Sequence, residues 1–376
     1  MKITARGLNR STLGRQMLLR RESVGVVDAM RRLVALQAQA APSPYVALWN
    51  RLIDFDPAEL DAAFADRQLV KATLLRITLH AVHTDDYRAF REAMEPTLRA
   101  ARLDGRFLMS GLTRADADAL LPDMLKYLKR TRTADEMTAW LAERGAEAEP
   151  SRAWWALRAY APVLHAPSGP PWSFPNRPSY VAASVRPTLD RDTADIALRT
   201  LIRRYLAGFG PASIADMAHF CLVQRARAKD AVRAISDELD TLTGPDGTQL
   251  YDLPDAPRPD DDTPAPPRLL PMWDSVLLCA ADRDRLAPPE YRPYVARSNG
   301  DVLPTLLVDG YVAGVWRPVE QGIEATAFHR LPDETWAALR TEARSLLELL
   351  ADREPLVYRR YDRWWDGMPG VEVRVL

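Results

Sequence analysis

The chain has 376 residues, 47% hydrophobic and 27% charged, a composition that excludes extended disorder and allows two or three domains with their own cores. Its formal net charge is −1, so a nucleic-acid surface has to be a local basic face and not an overall excess. No apolar run reaches 18 residues, the N-terminal MKITARGLNRSTLGRQ has no apolar stretch, only Cys221 and Cys279 occur, and the five histidines show no HExxH pattern; these features predict a cytoplasmic protein with no membrane span, disulfide framework, metal or cofactor.

Along the chain, NRSTLGRQMLL and SVGVVDAMRRLVALQ read as helices, and DPAELDAAFADR as a third with an Asp56 cap and Pro57 at its first position. LVKATLLRITLHAV alternates like a pair of strands. Within the second helix, Val26, Met30, Leu33 and Val34 form an apolar stripe at three-and-four spacing, and the next position due on that face is Gln37. A buried amide without partners costs about 1 to 3 kcal/mol, so an apolar residue is the expected choice there. Gln39 follows two residues later, and the two amides share a side if the chain leaves the helix and extends at this point. Two readings follow: glutamines that cap a helix end or stay solvated, or an aimed pair.

TADEMTAWLAERG, capped by Thr133, precedes the helical SRAWWALRAYAP, and VLHAP pairs with SYVAAS across the Pro-rich APSGPPWSFPNRPS. DTADIALRTLIRRYLAGF, stopped by Gly210 and Pro211, is followed by ASIADMAHFCLV, RARAKDAVRAISDELDTL and a hairpin in TLTGPDGTQLYDL around Gly244 to Gly247. Helix, short helix, turn, helix and two-stranded wing is the winged helix-turn-helix order. LPDAPRPDDDTPAPP, residues 253 to 267, reads as an exposed acidic linker. Beyond it come a buried LLPMWDSVLLCA, a hairpin in TLLVDGYVAGVW about Asp309-Gly310, a long helix in PDETWAALRTEARSLLELLADR, and strands PLVYRRY and VEVRVL. The expected fold is therefore α+β: three tandem winged helix-turn-helix units at 1–112, 113–187 and 188–257, with a C-terminal β-rich segment at 268–376 packed on the array.

Lys2, Lys71, Lys126, Lys129 and Lys229 are the five lysines, and arginine supplies the rest of the 50 basic residues, a bias that mostly reflects a GC-rich genome. Local clusters, Arg20, Arg21, Arg31 and Arg32, then Arg199, Arg203 and Arg204, then Arg225, Arg227 and Arg233, are either solvated helix faces paired with acids or parts of a DNA face.

LVALQAQ, YVALWNRL, LVKATLLRITLHAV, RRYLAGFGPASIADM, LLPMWDSVLLCAADRDR and LPTLLVDGYVAGVWRP, in that order and over nearly the whole chain, resemble the winged-helix DNA glycosylase family typified by AlkZ, the self-resistance enzyme for the crosslinking antibiotic azinomycin. The family's Gln-x-Gln motif falls on Gln37 and Gln39, beside Leu36 and Ala38. Related bacterial members carry an aspartate at the second position, so Gln39 resembles the antibiotic-resistance branch. The resemblance implies a C-shaped DNA-binding scaffold with the motif at its centre and a β-hairpin that engages the duplex, which the Asp-Gly turn signal places on Val308, Asp309, Gly310, Tyr311 and Val312.

What it implies chemically is a monofunctional DNA glycosylase, acting as a monomer on double-stranded DNA with alkylated or crosslinked purines. A purine alkylated at N7 already carries positive charge and departs without a general acid. Two amide oxygens aimed at one point are enough to place a water against C1′ and to stabilise an oxocarbenium-like sugar. The small neighbours Ala38, Ala40, Ala41 and Pro42, with no aromatic cluster in the stretch, predict an open, groove-facing site suited to a base still tied to the opposite strand. The competing class is a non-catalytic winged-helix transcription regulator.

Overall fold

In the computed structural model, which describes residues 1–144, 149–184 and 186–376, half of the described α-helices begin at side-chain caps. Asp56 accepts from the Ala58 amide ahead of Pro57–Ala65. Thr133 with Glu136, and Ser213 with Asp216, form capping boxes ahead of Ala134–Ala142 and Ile214–Cys221. The last residue of the segment read as TADEMTAWLAERG, Gly145, lies outside the described residues. Five further helices, Ser43–Trp49, Thr84–Leu98, Asp104–Ser110, Arg114–Tyr127 and Arg292–Val295, carry no expectation from the sequence.

The strand pair expected in LVKATLLRITLHAV forms as Leu69–Thr73 against Leu79–His83, and VLHA pairs with SYVA, Val163 opposite Ala182. These two hairpins then meet edge to edge, Lys71 opposite His165 and Ala72 opposite Leu164. The result is one six-stranded sheet in the order Leu36–Gln37, Leu79–His83, Leu69–Thr73, Val163–Ala166, Ser179–Ala182, Arg132–Thr133. Joining the wings covers edges that each would otherwise expose. Farther along, helices Arg191–Phe209, Ile214–Cys221 and Arg225–Arg233 lead into a two-stranded wing, Asp240–Thr243 with Gln249–Asp252. The chain's N-terminus lies along that wing, with the Thr243 amide donating to the Met1 carbonyl. A five-stranded sheet, ordered Glu372–Val375, Gly322–Ala327, Tyr311–Val319, Thr305–Val308, Arg268–Leu270, forms the C-terminal half with helix Asp333–Ala351.

The cores do not follow the expected unit boundaries. One joins Leu13, Met30 and Trp49 from the N-terminal region to Trp316 and Trp336 near the C-terminus. The other joins Phe90 and Met94 to Trp154 and to Tyr205 and Phe209. Residues 1–112 thus contribute to both.

Three expectations are corrected. The helix read through Gln37 spans only Val26–Arg32, because Val34 takes φ 68° and the next residues extend into the strand Leu36–Gln37. PLVYRRY is not a strand: Tyr358 has φ 65°, its hydroxyl meets Ser43 Oγ at 3.1 Å, and a 3₁₀ turn, Arg359–Trp365, follows. The acidic linker is a strap on the first helix, Ala5–Arg15, whose Arg6, Arg10 and Arg15 donate through Nε to the carbonyls of Asp261, Thr263 and Pro257.

Interior ion pairs fasten these parts. Arg51 grips Asp274 through two bonds of 2.9 and 2.8 Å, with both side chains fully buried. Breaking a buried pair leaves an uncompensated charge and costs about 3–5 kcal/mol. Asp274→Ala is therefore expected to lower unfolding free energy by about that amount in urea titrations; wild-type stability would show that the pair holds nothing.

Candidate active site

Gln37 sits on the edge strand of the six-stranded sheet and is fixed from both sides. On one side it pairs with His80, and the Ala38 amide donates to the Leu79 carbonyl at 2.8 Å. On the other, the Gln37 amide donates to Ser275 Oγ at 3.2 Å, and that hydroxyl donates to the Ala35 carbonyl at 2.8 Å. Ser275 follows Asp274, so the buried Arg51 pair also anchors this edge.

The Gln37 side chain is 5% exposed, and its Oε1 accepts from Arg76 Nη2 at 2.9 Å. Arg76 Nη2 also lies 3.2 Å from His80 Nε2, and Arg76 Nη1 donates to the Phe220 carbonyl at 3.3 Å. A guanidinium only donates, so His80 Nε2 is an acceptor and its proton sits on Nδ1, which donates to the Thr78 carbonyl at 3.1 Å. Burial and the adjacent Arg76 hold the His80 pKa well below the usual histidine range, which keeps the ring neutral. Burial also lowers Arg76 to about 10, leaving it cationic at neutral pH.

Gln39 is exposed, and its Oε1 accepts a long bond, 3.4 Å, from the Leu79 amide. It stands on the wall of a cleft of about 480 Å³ with Lys71, Arg158, Arg359 and Arg360. Gln37 does not line this cleft, so the two glutamines do not share one closed pocket. The convergence of two amide oxygens is corrected: the Gln37 oxygen is turned onto Arg76, and Gln39 carries the accessible one. The stretch itself has no aromatic cluster, but the Pro-rich loop brings Trp172 and Phe174, and the C-terminal region Tyr358 and Tyr361, into the cleft wall.

Lys71 and Arg76 were missed by sequence reasoning. The available signal was a cation in each half of the otherwise apolar LVKATLLRITLHAV, read there only as strand alternation. Lys71 is 5% exposed, its ammonium lies 4.8 Å from the Phe174 ring centroid, and burial lowers its pKa to about 7. Its neighbour across the sheet, His165, is held neutral by burial and by the nearby charges of Lys71 and Arg158.

The turn assigned to duplex engagement has the expected backbone, with φ 46° at Asp309 and 82° at Gly310. It does not project. Asp309 pairs with Arg6 and Arg10, and Asn9 Nδ2 donates to the Gly310 carbonyl at 2.7 Å, so the turn is clamped on the first helix. Val308 and Tyr311 are half-buried, Val312 is buried, and Asp309 at the tip is exposed. Several of the clustered arginines are likewise paired: Arg21 with Glu342, Arg32 with Glu22, Arg203 with Glu238, Arg204 with Asp86 and Arg227 with Asp195. Among the described residues no helix is long and apolar enough to cross a membrane, and no three His, Cys, Asp or Glu side chains group as metal ligands.

A sequence model of the family described as DNA glycosylase AlkZ-like matches residues 30–349, a span holding Gln37, Gln39, Lys71 and Arg76. The chain belongs to the AlkZ-like DNA glycosylase family. It is an enzyme of that class, a hydrolase of N-glycosyl bonds in DNA. An interstrand DNA cross-link repair glycosylase from Streptomyces sahachiroi is 26% identical over 358 residues, 88% of this chain and 93% of the relative. The solved structure of the Streptomyces sahachiroi DNA glycosylase AlkZ has the same fold, with TM-score 0.75 and 22% identity, covering 93% of this chain and 97% of that one.

Two outcomes test the assignments of structure at and around this AlkZ-like site. A methyl group at Gly310 would sit 2.5 Å from both Arg10 Nη1 and Asn9 Oδ1, in a left-handed conformation. Gly310→Ala is expected to destabilise the fold by more than about 1 kcal/mol while base release per folded molecule is retained; a large loss of excision at unchanged stability would return the hairpin to the DNA. For Lys71, the folded pKa lies below the unfolded one, so the desolvation cost is complete below about pH 7 and fades as pH rises toward the unfolded value. Lys71→Met should raise Tm at pH 7 and raise it less at pH 9. An equal shift at both pH values would show that no such burial cost exists.

Proposed function

We propose that this chain hydrolyses the N-glycosidic bond of purines alkylated at N7 in duplex DNA and, acting on both strands of a crosslink in turn, unhooks interstrand crosslinks. The observation that carries the reading is the pair of differently held amides. Gln37 is clamped by Arg76, and Gln39, exposed and holding one long bond from the Leu79 amide, stands on the wall of a cleft whose charged lining is Lys71, Arg158, Arg359 and Arg360 with one acid, Glu354. Phosphate groups of a duplex match that basic lining. The family supports the enzyme over a non-catalytic regulator, and a relative's name, interstrand DNA cross-link repair glycosylase, supports the substrate. A cleft of this kind, with one glutamine on its wall and the other beside the sheet edge, also suits a base that stays tied to the opposite strand, because nothing has to enclose it. Self-resistance to a crosslinking antibiotic of the azinomycin type is the physiological setting we infer from Gln39 at the second motif position. Every group invoked comes from one chain, in keeping with action as a monomer.

The chemistry needs no general acid. The alkylated base leaves as a neutral heterocycle, water adds to C1′, and one proton passes to solvent. Gln39 Oε1 accepts a hydrogen bond from the attacking water and places its dipole toward the developing sugar cation. Gln37 donates through its amide nitrogen to hold that water in place. Such interactions act where charge develops, so their loss slows chemistry more than binding.

Gln37→Ala and Gln39→Ala are each expected to lower single-turnover excision of N7-methylguanine by roughly 100-fold or more, with the protein still folded and duplex affinity nearly unchanged. Alkali-labile abasic sites report the first substrate, and denaturing gels of a defined N7-crosslinked duplex report unhooking. Wild-type rates in both variants would remove the glutamines from the mechanism. Efficient methylguanine release with an intact crosslink would remove the crosslink from the substrate range.

A further inference from the structure

We propose that Arg76 is a positioning residue for base excision: it fixes the Gln37 carboxamide with its oxygen inward, so that Gln37 meets the substrate as a hydrogen-bond donor. The inference rests on the reading that Gln37 acts in excision. Its geometry is independent of that reading.

A carboxamide has two ends of nearly equal shape, and rotation by half a turn exchanges an acceptor for a donor. At Gln37 the choice is made by a partner that has no acceptor. Arg76 Nη2 is 2.9 Å from Gln37 Oε1, and the flipped amide would place its NH₂ against a guanidinium N–H. The opposite end is left to act: among the described residues the side-chain nitrogen of Gln37, Nε2, has no hydrogen-bond partner, and the residue keeps a small exposure of 5%. A cation on the oxygen also polarises the amide and strengthens its N–H as a donor.

Arg76 is itself held in place. Its Nη1 donates to the Phe220 carbonyl, its guanidinium carbon lies 5.3 Å from the Phe220 ring centroid, and Nη2 reaches the acceptor nitrogen of His80. The backbone makes this reach possible through two consecutive left-handed residues, Arg76 at φ 53° and Ile77 at φ 57°. Neither is glycine, and non-glycine residues in that region carry a conformational cost that the surrounding structure must offset. Arg76 forms no ion pair with a carboxylate among the described residues; its charge is directed at an amide oxygen, a carbonyl and a neutral ring. The last of these is kept neutral by its burial and, after that, by the same cation.

The test is a double-mutant cycle on the chemical step. Arg76→Ala should slow single-turnover release of N7-methylguanine roughly 10- to 100-fold, the range expected for one charge-assisted hydrogen bond, with duplex affinity unchanged. On a Gln37→Ala background the same substitution should slow excision no further, because the amide it orients is gone. Guanidinium ion in the buffer should restore part of the rate to Arg76→Ala and none to the double variant. If Arg76→Ala does not fold, Arg76→Lys carries the same cycle, with a smaller loss that also vanishes on the Gln37→Ala background. A full, additive loss on that background would make Arg76 structural only, and a wild-type rate for Arg76→Ala beside a slow Gln37→Ala would overturn the proposal alone. A wild-type rate for Gln37→Ala would instead overturn the role of Gln37 itself.

Discussion

A guanidinium taken out of water must find acceptors for its N–H groups, and the two halves of this protein are joined where that condition is met. Arg10 and Arg15 leave the first helix for different partners. Arg10 reaches the Asp309 turn of the C-terminal sheet, and Arg15 reaches Asp252 in the wing and the Leu206 carbonyl of helix Arg191–Phe209. Arg91 crosses from helix Thr84–Leu98 to the carbonyls of Ala159 and Tyr160, and Arg51 closes on Asp274. Each is almost fully buried, and each ties segments far apart in sequence. An arginine-rich composition that reads as genome bias is thus, in part, the internal fastening of the fold.

The proposed active site inherits that fastening. A two-residue edge strand has little hold of its own. Its position comes from His80 on one side, from Ser275 on the other, and from Arg76 on the glutamine side chain. The outcome is one buried, clamped amide and one exposed amide two residues apart. That division suits a reaction in which the leaving group brings its own charge: the protein has only to place a water and orient dipoles, and no group in the pair has to transfer a proton.

Much of the local structure was legible because it is set within a few residues. Caps at Asp56 and Thr133 and the Asp309-Gly310 turn are examples, since hydrogen bonds over two to four positions determine them. The Gln37 anomaly was legible for a related reason, as an amide due on an apolar face signals a partner elsewhere. The partner was not legible, because Arg76 is 39 positions away and its role depends on two left-handed residues that no side-chain pattern announces. Ser275 lies 238 positions from Gln37. Nor did sequence show that two wings would pair edge to edge, that a Pro-rich acidic stretch would be bound through its carbonyls, or that Trp172 and Phe174 would arrive beside Gln39. Composition ranks residues by exposure; it does not say which distant acceptor a buried donor will take.

The account turns on a water held between two amides of fixed and different polarity. A crystal structure of the protein on a duplex with an N7-alkylated guanine, slowed by a 2′-fluoro sugar, examines it directly. The expected result is an ordered water about 3 Å from both Gln39 Oε1 and Gln37 Nε2, on the face of C1′ opposite the base, with Gln37 Oε1 still bonded to Arg76. A lesion seated with both amides turned away from C1′, or a Gln37 oxygen released from Arg76 to meet the water, would contradict it.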